Sequence, residues 1–217
     1  MRNTTAAYQS NSTLPTYHWL GQQPYTSFLR DMQQHTQDLA QHQASQQVWF
    51  CEHEPVYTTG KRGIQNNKGI LDAPLIVTDR GGETTFHGTG QLMMYPMIIL
   101  KDYHLSVRDY VYLLEESCIQ LLASHNQHAV RDCGFPGVWM DNEKIAALGI
   151  RVSRGITSHG IALNVNTELD WFKKINPCGT SRNATTMAAQ GLNDLHIEQI
   201  SQQWFKIFVQ LLAARLV

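Results

Sequence analysis

Cys178 is the residue whose surroundings best suit nucleophilic chemistry. It stands between Pro177 and Gly179 in a polar segment, whereas Cys118 falls on the apolar stripe of a predicted helix, as a core residue would. The attacking species is the thiolate, and an ordinary cysteine is ionised to only a few per cent at neutral pH. A cysteine nucleophile at this position therefore needs a neighbour that favours its charged form.

The sequence offers two kinds of neighbour. Lys144 begins an apolar strand, where a lysine is partly desolvated and able to pair with a thiolate, although a lone lysine there is more often a turn residue. A Cys–His pair with His87 or His159 is the alternative on chemical grounds. Because 34 residues separate Lys144 from Cys178, spacing alone does not choose between these arrangements.

A glycine-rich loop is the second chemical feature. Residues 80–91 read RGGETTFHGTGQ and follow the predicted strand Leu75–Thr78. The four glycines let the backbone approach a ligand closely, and Arg80 and His87 add side-chain donors. A tight hairpin with a solvated arginine is the structural alternative. The loop is not a phosphate-binding P-loop, because the Gly-Lys-Ser/Thr ending is absent.

Helices and short strands must position these residues. Apolar spacing predicts helices over 24–43 and 197–215, and a third helix after an N-cap at Ser106, with Asp109 completing a capping box. The apolar stripe of this third helix consists of Val107, Tyr110, Val111, Leu114, Cys118, Leu121 and Leu122. Apolar and β-branched runs predict strands at 48–51, 56–59, 75–78, 91–100, 137–140, 144–152 and 157–166.

The order of these elements predicts the fold class. Strands and helices do not alternate regularly, which favours an α+β fold, with one domain built on a mixed β-sheet with flanking helices. We place this domain at 17–217, after a polar lead over 1–16 that we expect to be flexible. The four widely spaced cysteines and ten scattered histidines predict neither a disulfide framework nor a metal site.

Charge and hydropathy exclude several classes of protein. Charged residues make up 16% of the chain and nearly cancel, leaving −1, whereas general nucleic-acid binders need a basic excess. The absence of a signal peptide and of a long apolar run predicts a cytoplasmic protein without membrane contact. Residues 144–182 nevertheless hold six basic and two acidic side chains. This local balance of +4 favours an acidic partner, the alternative being a solvated basic edge.

Four motifs together resemble the bacterial octanoyltransferases, the lipoyl(octanoyl) transferases of protein lipoylation. Residues 80–91 match the family loop Arg-Gly-Gly-x-x-Thr-x-His-Gly-Pro-Gly-Gln except at Thr89, where the family has proline. Residues 137–149 match its Gly-Val…Lys-Ile…Leu-Gly segment. Residues 159–165 match its His-Gly-x-Ala-Leu-Asn-Val segment, and residues 177–179 match its Pro-Cys-Gly.

The resemblance implies a fold, a reaction and a set of site residues. The fold is that of biotin and lipoate protein ligases, and the reaction moves an octanoyl or lipoyl group from acyl carrier protein to a lysine of a lipoyl domain, with no cofactor. Cys178 would carry the acyl group as a thioester, and Lys144 would lower the pKa of that thiol. Substrate contacts are implied for Arg80, Gly81, Gly82, Glu83, Thr84, Thr85, Phe86, His87, Ala147, Leu148, Gly149, Gly160, Ile161 and Ala162.

Other classes of function stay open beside this one. An ATP-dependent lipoate or biotin ligase shares the fold, and a non-catalytic module would bind acyl groups or carrier proteins. Neither needs a nucleophile, so the pairing of Cys178 with Lys144 favours the transferase. We further expect Lys144 to accept the proton of the incoming lysine. Thr89 lacks the fixed φ of the family's proline, which predicts a more mobile loop.

Overall fold

The computed structural model describes residues 14–60, 71–175 and 182–216. Within these ranges the chain forms strands and α-helices in the order β1 (Thr16–Gln23), α1 (Tyr25–Ala40), β2 (Gln47–His53), β3 (Val56–Gly60), β4 (Leu75–Thr78), β5 (Thr85–His87), β6 (Gln91–Met97), α2 (Val107–Ser124), β7 (Val130–Asp132), β8 (Phe135–Met140), β9 (Glu143–Ser153), β10 (Ile156–Asn164) and α3 (Ile197–Ala213). Short 3-10 helices cover Leu100–Tyr103 and Leu169–Lys174.

Two sheets form the framework. The larger sheet has the strand order β1-β2-β6-β10-β9-β8-β7, in which β1 and β2 are parallel and the other neighbours are antiparallel. The smaller sheet has the order β4-β3-β5 and combines one parallel with one antiparallel pair. The prediction of an α+β fold with a mixed sheet and flanking helices is therefore confirmed.

Helices cover both faces of the large sheet. Along β6, Leu92 and Met94 pack into the core that includes α2 and α3, whereas Met93 and Tyr95 pack into the core that includes α1. This alternation is the period of two expected for a strand buried on both faces. The central strands are therefore held rigidly from both sides, which suits strands that carry a site.

Helix α2 begins as the sequence predicts. The Ser106 hydroxyl accepts the Asp109 N–H at 3.1 Å, and the Asp109 carboxylate accepts the Ser106 N–H at 3.1 Å. Cys118 is fully buried, in agreement with its place on the apolar stripe. Val107 is a correction to that stripe, since it is 48% exposed. It lies in the first turn, and burial of the helix begins only at Tyr110.

The sequence patterns miss three strands and overextend others. Strand β1 mixes polar and apolar residues and depends on its pairing with β2, while β5 and β7 have three residues each. The strand predicted over 91–100 ends at Met97. The prediction was too long because the apolar run continues into Ile98, which is buried although it lies beyond the strand. Strand β10 ends at Asn164, two residues before its predicted end.

The predicted domain division stays a prediction. Strand β1 begins at Thr16, and residues 1–13 of the proposed lead lie outside the described residues. In the part of the chain that is described, no helix is both long and apolar enough to cross a membrane.

Candidate active site

A pocket opens between the small sheet and the central strands of the large sheet. Lys144 lines it, and so do eleven of the implied substrate contacts, namely Arg80, Gly82, Glu83, Thr84, Thr85, His87, Ala147, Leu148, Gly149, Gly160 and Ala162. Motifs far apart in the sequence therefore meet at one place. Whether these residues contact a substrate stays a prediction.

Three of the implied contacts do not line the pocket. Phe86 is fully buried and stacks on Trp171, with ring centroids 4.8 Å apart. Ile161 is buried in the core on the α2 side of the large sheet. Strand alternation explains both, since neighbouring residues in a strand point to opposite faces. Gly81 is tied to strand β9, where its N–H donates to the Ile150 carbonyl at 2.9 Å.

Arg80 braces the glycine-rich loop from inside. Its Nη2 donates to the Thr58 carbonyl at 2.6 Å and to the Glu83 carbonyl at 2.9 Å, and its Nη1 donates to the Gly81 carbonyl at 2.8 Å. These bonds cross from the loop to strand β3 and fix the path of the backbone. The alternative of a hairpin with a solvated arginine is therefore wrong, and the guanidinium charge stays beside the pocket.

A chain of neutral hydrogen bonds runs beneath one side of the pocket. His87 Nδ1 lies 2.7 Å from Gln91 Oε1, Gln91 Nε2 donates to Asn164 Oδ1 at 2.8 Å, and Asn164 Nδ2 donates to the Thr185 carbonyl at 3.0 Å. This order requires the proton of His87 on Nδ1. His87 Nε2 then accepts the Thr58 hydroxyl at 3.0 Å. We call this side, made of Thr58, His87, Gln91 and Asn164, the histidine wall.

The buried histidines near the pocket are neutral. Burial lowers the pKa of His87 to about 3, and the nearby Arg80 charge lowers it further in the same direction. Burial also lowers the pKa of His53 to about 4. His53 donates from Nδ1 to the Gln23 carbonyl at 2.9 Å and accepts the Tyr95 hydroxyl at Nε2 at 2.8 Å. Such groups position other residues and do not carry charge at neutral pH.

His159 lies between this pocket and a second groove beside α1. Its Nε2 is 2.8 Å from an Asp79 carboxylate oxygen that would favour the charged ring, and Asp79 also pairs with Arg151. Burial, followed by the Arg80 and Arg151 charges, nevertheless lowers the pKa of His159 to about 3. The neutral ring therefore donates from Nε2 to Asp79, which fastens the start of the glycine-rich loop to strand β10.

A second side of the pocket is charged. Lys144 is buried, its Nζ donates to the Pro136 carbonyl at 3.1 Å, and the same nitrogen lies 4.7 Å from the Trp139 ring centroid. The Arg182 guanidinium lies 4.9 Å from that ring. Two cations thus lie close to one aromatic ring, whose π-electrons attract positive charge. We call this side, made of Lys144, Trp139 and Arg182, the lysine wall.

Cys178 lies outside the described residues, so its distance from Lys144 or from either histidine is not part of the geometry. The chain that follows it is paired with Lys144. The Lys144 N–H donates to the Asn183 carbonyl at 3.0 Å, and the Thr185 N–H donates to the Lys144 carbonyl at 3.0 Å. Asn183 follows Cys178 by five residues, whereas Lys144 and Cys178 are 34 residues apart in sequence.

Sequence reasoning missed several pocket residues. The pocket also contains Tyr25, Met93, Tyr95, Trp139, Asn164, Phe172, Arg182, Asn183 and Ala184. Trp139 and Asn164 lie inside motifs already quoted, so alternation along β8 and β10 was the signal that could have found them. Tyr25, at the first residue of α1, had no such signal, because only the packing of α1 on the sheet brings it to the pocket.

The basic segment 144–182 is largely compensated. Its cations pair with carboxylates as Arg151–Asp79, Lys173–Asp170, Lys174–Asp72 and Arg182–Asp132. Three of these carboxylates lie outside the segment, which lowers its local balance from +4 to +1. An uncompensated basic face for an acidic partner is therefore not what the folded chain presents there.

Comparisons with known proteins agree with the pocket. The model of the lipoyl protein ligase A/B catalytic domain matches residues 24–209. The octanoyltransferase of Shewanella oneidensis is 42% identical over 172 residues, which cover 78% of this chain and 77% of the relative. The octanoyltransferase of Shewanella woodyi is 38% identical over 202 residues, which cover 92% of this chain and 90% of the relative.

Solved structures share the fold at low sequence identity. The bipartite lipoate protein ligase of Thermoplasma acidophilum has a TM-score of 0.66 at 14% identity, covering 92% of this chain and 83% of that one. The biotin protein ligase of Aquifex aeolicus, in complex with biotin and ATP, has a TM-score of 0.55 at 14% identity, covering 91% and 70%. By its family match and its close relatives, this chain belongs to the lipoyl protein ligase A/B catalytic-domain family and, within it, to the octanoyltransferases.

Proposed function

We propose that this chain transfers an octanoyl or lipoyl group from acyl carrier protein to a lysine of a lipoyl domain, with Cys178 carrying the acyl group as a thioester. The relatives named octanoyltransferase support the reaction. The observation that carries the residue assignment is the buried Lys144 in the pocket wall, paired through its backbone with the segment that follows Cys178. A cytoplasmic location remains part of this proposal.

The first step is a thioester exchange. The Cys178 thiolate attacks the carbonyl carbon of the donor thioester, a new carbon–sulfur bond forms, and the donor's carbon–sulfur bond breaks. The Lys144 ammonium supports the thiolate before attack and gives its proton to the departing donor thiolate. One thioester replaces another, so the step needs neither ATP nor a bound cofactor.

The second step forms the amide. The amine of the acceptor lysine attacks the acyl-Cys178 carbonyl, a carbon–nitrogen bond forms, and the Cys178 thiolate leaves. Lys144, neutral after the first step, takes the proton that the amine loses and becomes an ammonium again. The cycle ends with the thiolate and ammonium with which it began. The implied substrate contacts, apart from Gly81, Phe86 and Ile161, are proposed to hold the acyl chain and its carbonyl.

An intact-mass experiment tests the proposal. The chain is incubated with octanoyl-carrier protein without ATP, and we expect a hydroxylamine-labile octanoyl adduct that is absent in Cys178→Ala and disappears when a lipoyl domain is added. Cys133→Ala is the matched control, because Cys133 is exposed and has no assigned role. An adduct that requires ATP would instead support a ligase. The absence of any adduct, with acyl chains merely bound, would support a binding module.

A further inference from the structure

Glu115 is a charged side chain buried beneath the lysine wall. It lies in the middle of α2, only 7% exposed, on the helix face that packs against the sheet. A carboxylate in such a place is costly unless hydrogen bonds and an opposite charge compensate it. Its hydrogen bond with Gly137 and its ion pair with Arg131 therefore indicate its role.

One peptide group connects Glu115 to Lys144. Glu115 Oε1 accepts the Gly137 N–H at 2.9 Å, and the Pro136 carbonyl accepts Lys144 Nζ at 3.1 Å. The Gly137 N–H and the Pro136 C=O are the two ends of the same planar peptide group. The carboxylate thus lies at the positive end of the peptide dipole and the lysine at its negative end, so each bond strengthens the other.

The surroundings leave this peptide little freedom. Gly137 has a φ of +126°, which disfavours any other residue. A Cβ atom there would lie 2.5 Å from the Ala146 carbonyl oxygen and 3.4 Å from Lys144 Cε. The carboxylate is anchored in turn by Arg131, whose Nε lies 3.3 Å from Glu115 Oε2. Arg131 also pairs with Glu116 at 2.6 Å, so it is held independently of Glu115.

We infer that Glu115 is a positioning residue, which orients the Pro136–Gly137 peptide so that its carbonyl holds Lys144 where the lysine supports the thiolate. The inference rests on the proposed roles of Lys144 and Cys178. Glu115 acts through the peptide and touches neither the thiol nor a substrate in this scheme. Burial raises the pKa of Glu115, whereas the Gly137 N–H, Arg131 and Lys144 act in the opposite direction.

The charged groups that face Lys144 come from several elements. Among the described residues they include Glu115 on α2 and Arg182, which lies over the same Trp139 ring. Arg182 pairs with Asp132, and that pair is independent of Glu115. A change confined to Glu115 therefore alters the support of Lys144 and leaves the rest of the lysine wall in place.

Alkylation of Cys178 by iodoacetamide tests the inference without using the transfer reaction. Rates are measured from pH 6 to pH 10 by peptide mass spectrometry, with exposed Cys133 as the reference thiol in the same sample. Glu115→Met removes the acceptor of the Gly137 N–H with a side chain of similar size. We expect about tenfold slower alkylation of Cys178 at pH 7, within the ~30-fold that thiol ionisation can supply there, and convergence with the parent above pH 9.

Two matched variants sharpen the test. Glu115→Gln keeps an oxygen that accepts the Gly137 N–H, and we expect it to stay within about threefold of the parent because the peptide remains oriented. In a Lys144→Met background, Glu115→Met should have no further effect, since the residue it positions is gone. Glu115→Ala serves in place of Glu115→Met if the latter does not fold, as judged by circular dichroism.

Three results would overturn the inference. They are an unchanged rate at pH 7 in Glu115→Met, a loss of the same factor at every pH, and an additive loss in the double variant. The proposed function fails separately. If the parent forms no octanoyl adduct while Cys178 alkylation still depends on Glu115 and Lys144, the positioning role stands and the transferase does not. If the adduct forms and Glu115 has no effect on alkylation, the transferase stands and the positioning role does not.

Discussion

The two walls of the pocket achieve order in opposite ways. The histidine wall is a line of neutral groups, in which His87, Gln91 and Asn164 each donate to the next acceptor until the Thr185 carbonyl. The lysine wall collects charge, with Lys144 and Arg182 over one aromatic ring and Glu115 bonded behind it. Both walls end at the same stretch of chain, since Thr185 also donates to the Lys144 carbonyl.

This difference indicates a division of labour. The histidine wall keeps its hydrogen bonds near neutral pH, because burial holds His87, its titratable member, uncharged there. A charged wall is costlier to bury, but it is where proton transfer and a thiolate can be supported. The comparison predicts that acid weakens folding through the neutral histidines, whereas loss of charge at Lys144 weakens chemistry.

The largest expected effect is acid destabilisation. Folding keeps His53 neutral to about pH 4, and His87 and His159 neutral to about pH 3, whereas in the unfolded chain each takes up a proton below about pH 6.5. The unfolded state binds more protons than the folded state in this window, so protonation favours unfolding. The three histidines therefore cost the fold nothing above about pH 6.5, and they destabilise it progressively as the pH drops. We expect up to ~4 kcal/mol lost per pH unit near pH 5 from three histidines, measured by urea unfolding.

The matched variant isolates one histidine of the wall. His87→Gln should lessen the pH dependence by about a third, because one of three proton uptakes is removed. His128→Gln, at an exposed position, is the control for the replacement of a histidine by glutamine. Equal stability of the parent at pH 7 and pH 5 would show that the buried rings take up protons in the folded chain as readily as in the unfolded chain. That result would remove the contrast between the walls.

The next largest effect concerns Lys144 itself. Lys144→Met should return the Cys178 thiol to an ordinary pKa near 8.5, which leaves about 3% thiolate at pH 7. Adduct formation should then slow by up to ~30-fold, which corresponds to about 2 kcal/mol in activation free energy. Single-turnover quench experiments with octanoyl-carrier protein measure this rate. Lys144→Arg should retain adduct formation within a few-fold but slow transfer to the lipoyl domain, because a guanidinium does not accept a proton. Retention of both rates in Lys144→Arg would disprove the proton-acceptor role.

The sequence predicted the motif-bearing part of the pocket better than its supports. Residues 80–87 and 147–149 could be placed because short motifs determine local backbone shape. Phe86 and Ile161 were included among the substrate contacts because they lie within the motifs. In a strand, however, alternate side chains point to the opposite face, and these two point away from the pocket. The start of helix α2 and most of its buried face were predicted, because its cap and its apolar spacing are local signals.

Contacts between distant segments could not be predicted in this way. Glu115 meets the Gly137 N–H across 22 residues, and Lys174 meets Asp72 across 102 residues. Neither residue type nor spacing distinguishes Glu115 from any other glutamate until α2 packs against the sheet. The local balance of +4 over 144–182 misleads for the same reason, because carboxylates from other segments reach its cations only in the folded chain.

The smallest expected effect lies at Thr89, which belongs to neither wall. Its hydroxyl accepts Gln22 Nε2 at 2.9 Å, and the next residue is tied down by a 2.6 Å bond from the Gly90 N–H to Glu52. These bonds restrain the loop where the family's proline would restrain φ, which argues against the predicted mobility. Thr89→Pro removes an exposed hydrogen bond but also lowers the entropy of the unfolded chain, and these effects on stability oppose each other. We therefore expect the free energy of unfolding to change by less than ~1 kcal/mol and KM to change by less than about threefold.

Gln22→Ala is the matched control for Thr89, because it removes the same hydrogen bond from its other partner and leaves the loop sequence intact. Both variants should leave the Cys178 alkylation profile unchanged, since Thr89 and Gln22 contact neither Lys144 nor His87 through any of the bonds described above. A large rise in KM in Thr89→Pro but not in Gln22→Ala would show that the threonine backbone, and not its hydroxyl bond, shapes the substrate entrance. A shift of the alkylation profile would instead connect this loop end to the lysine wall and break the separation between the two sides of the pocket.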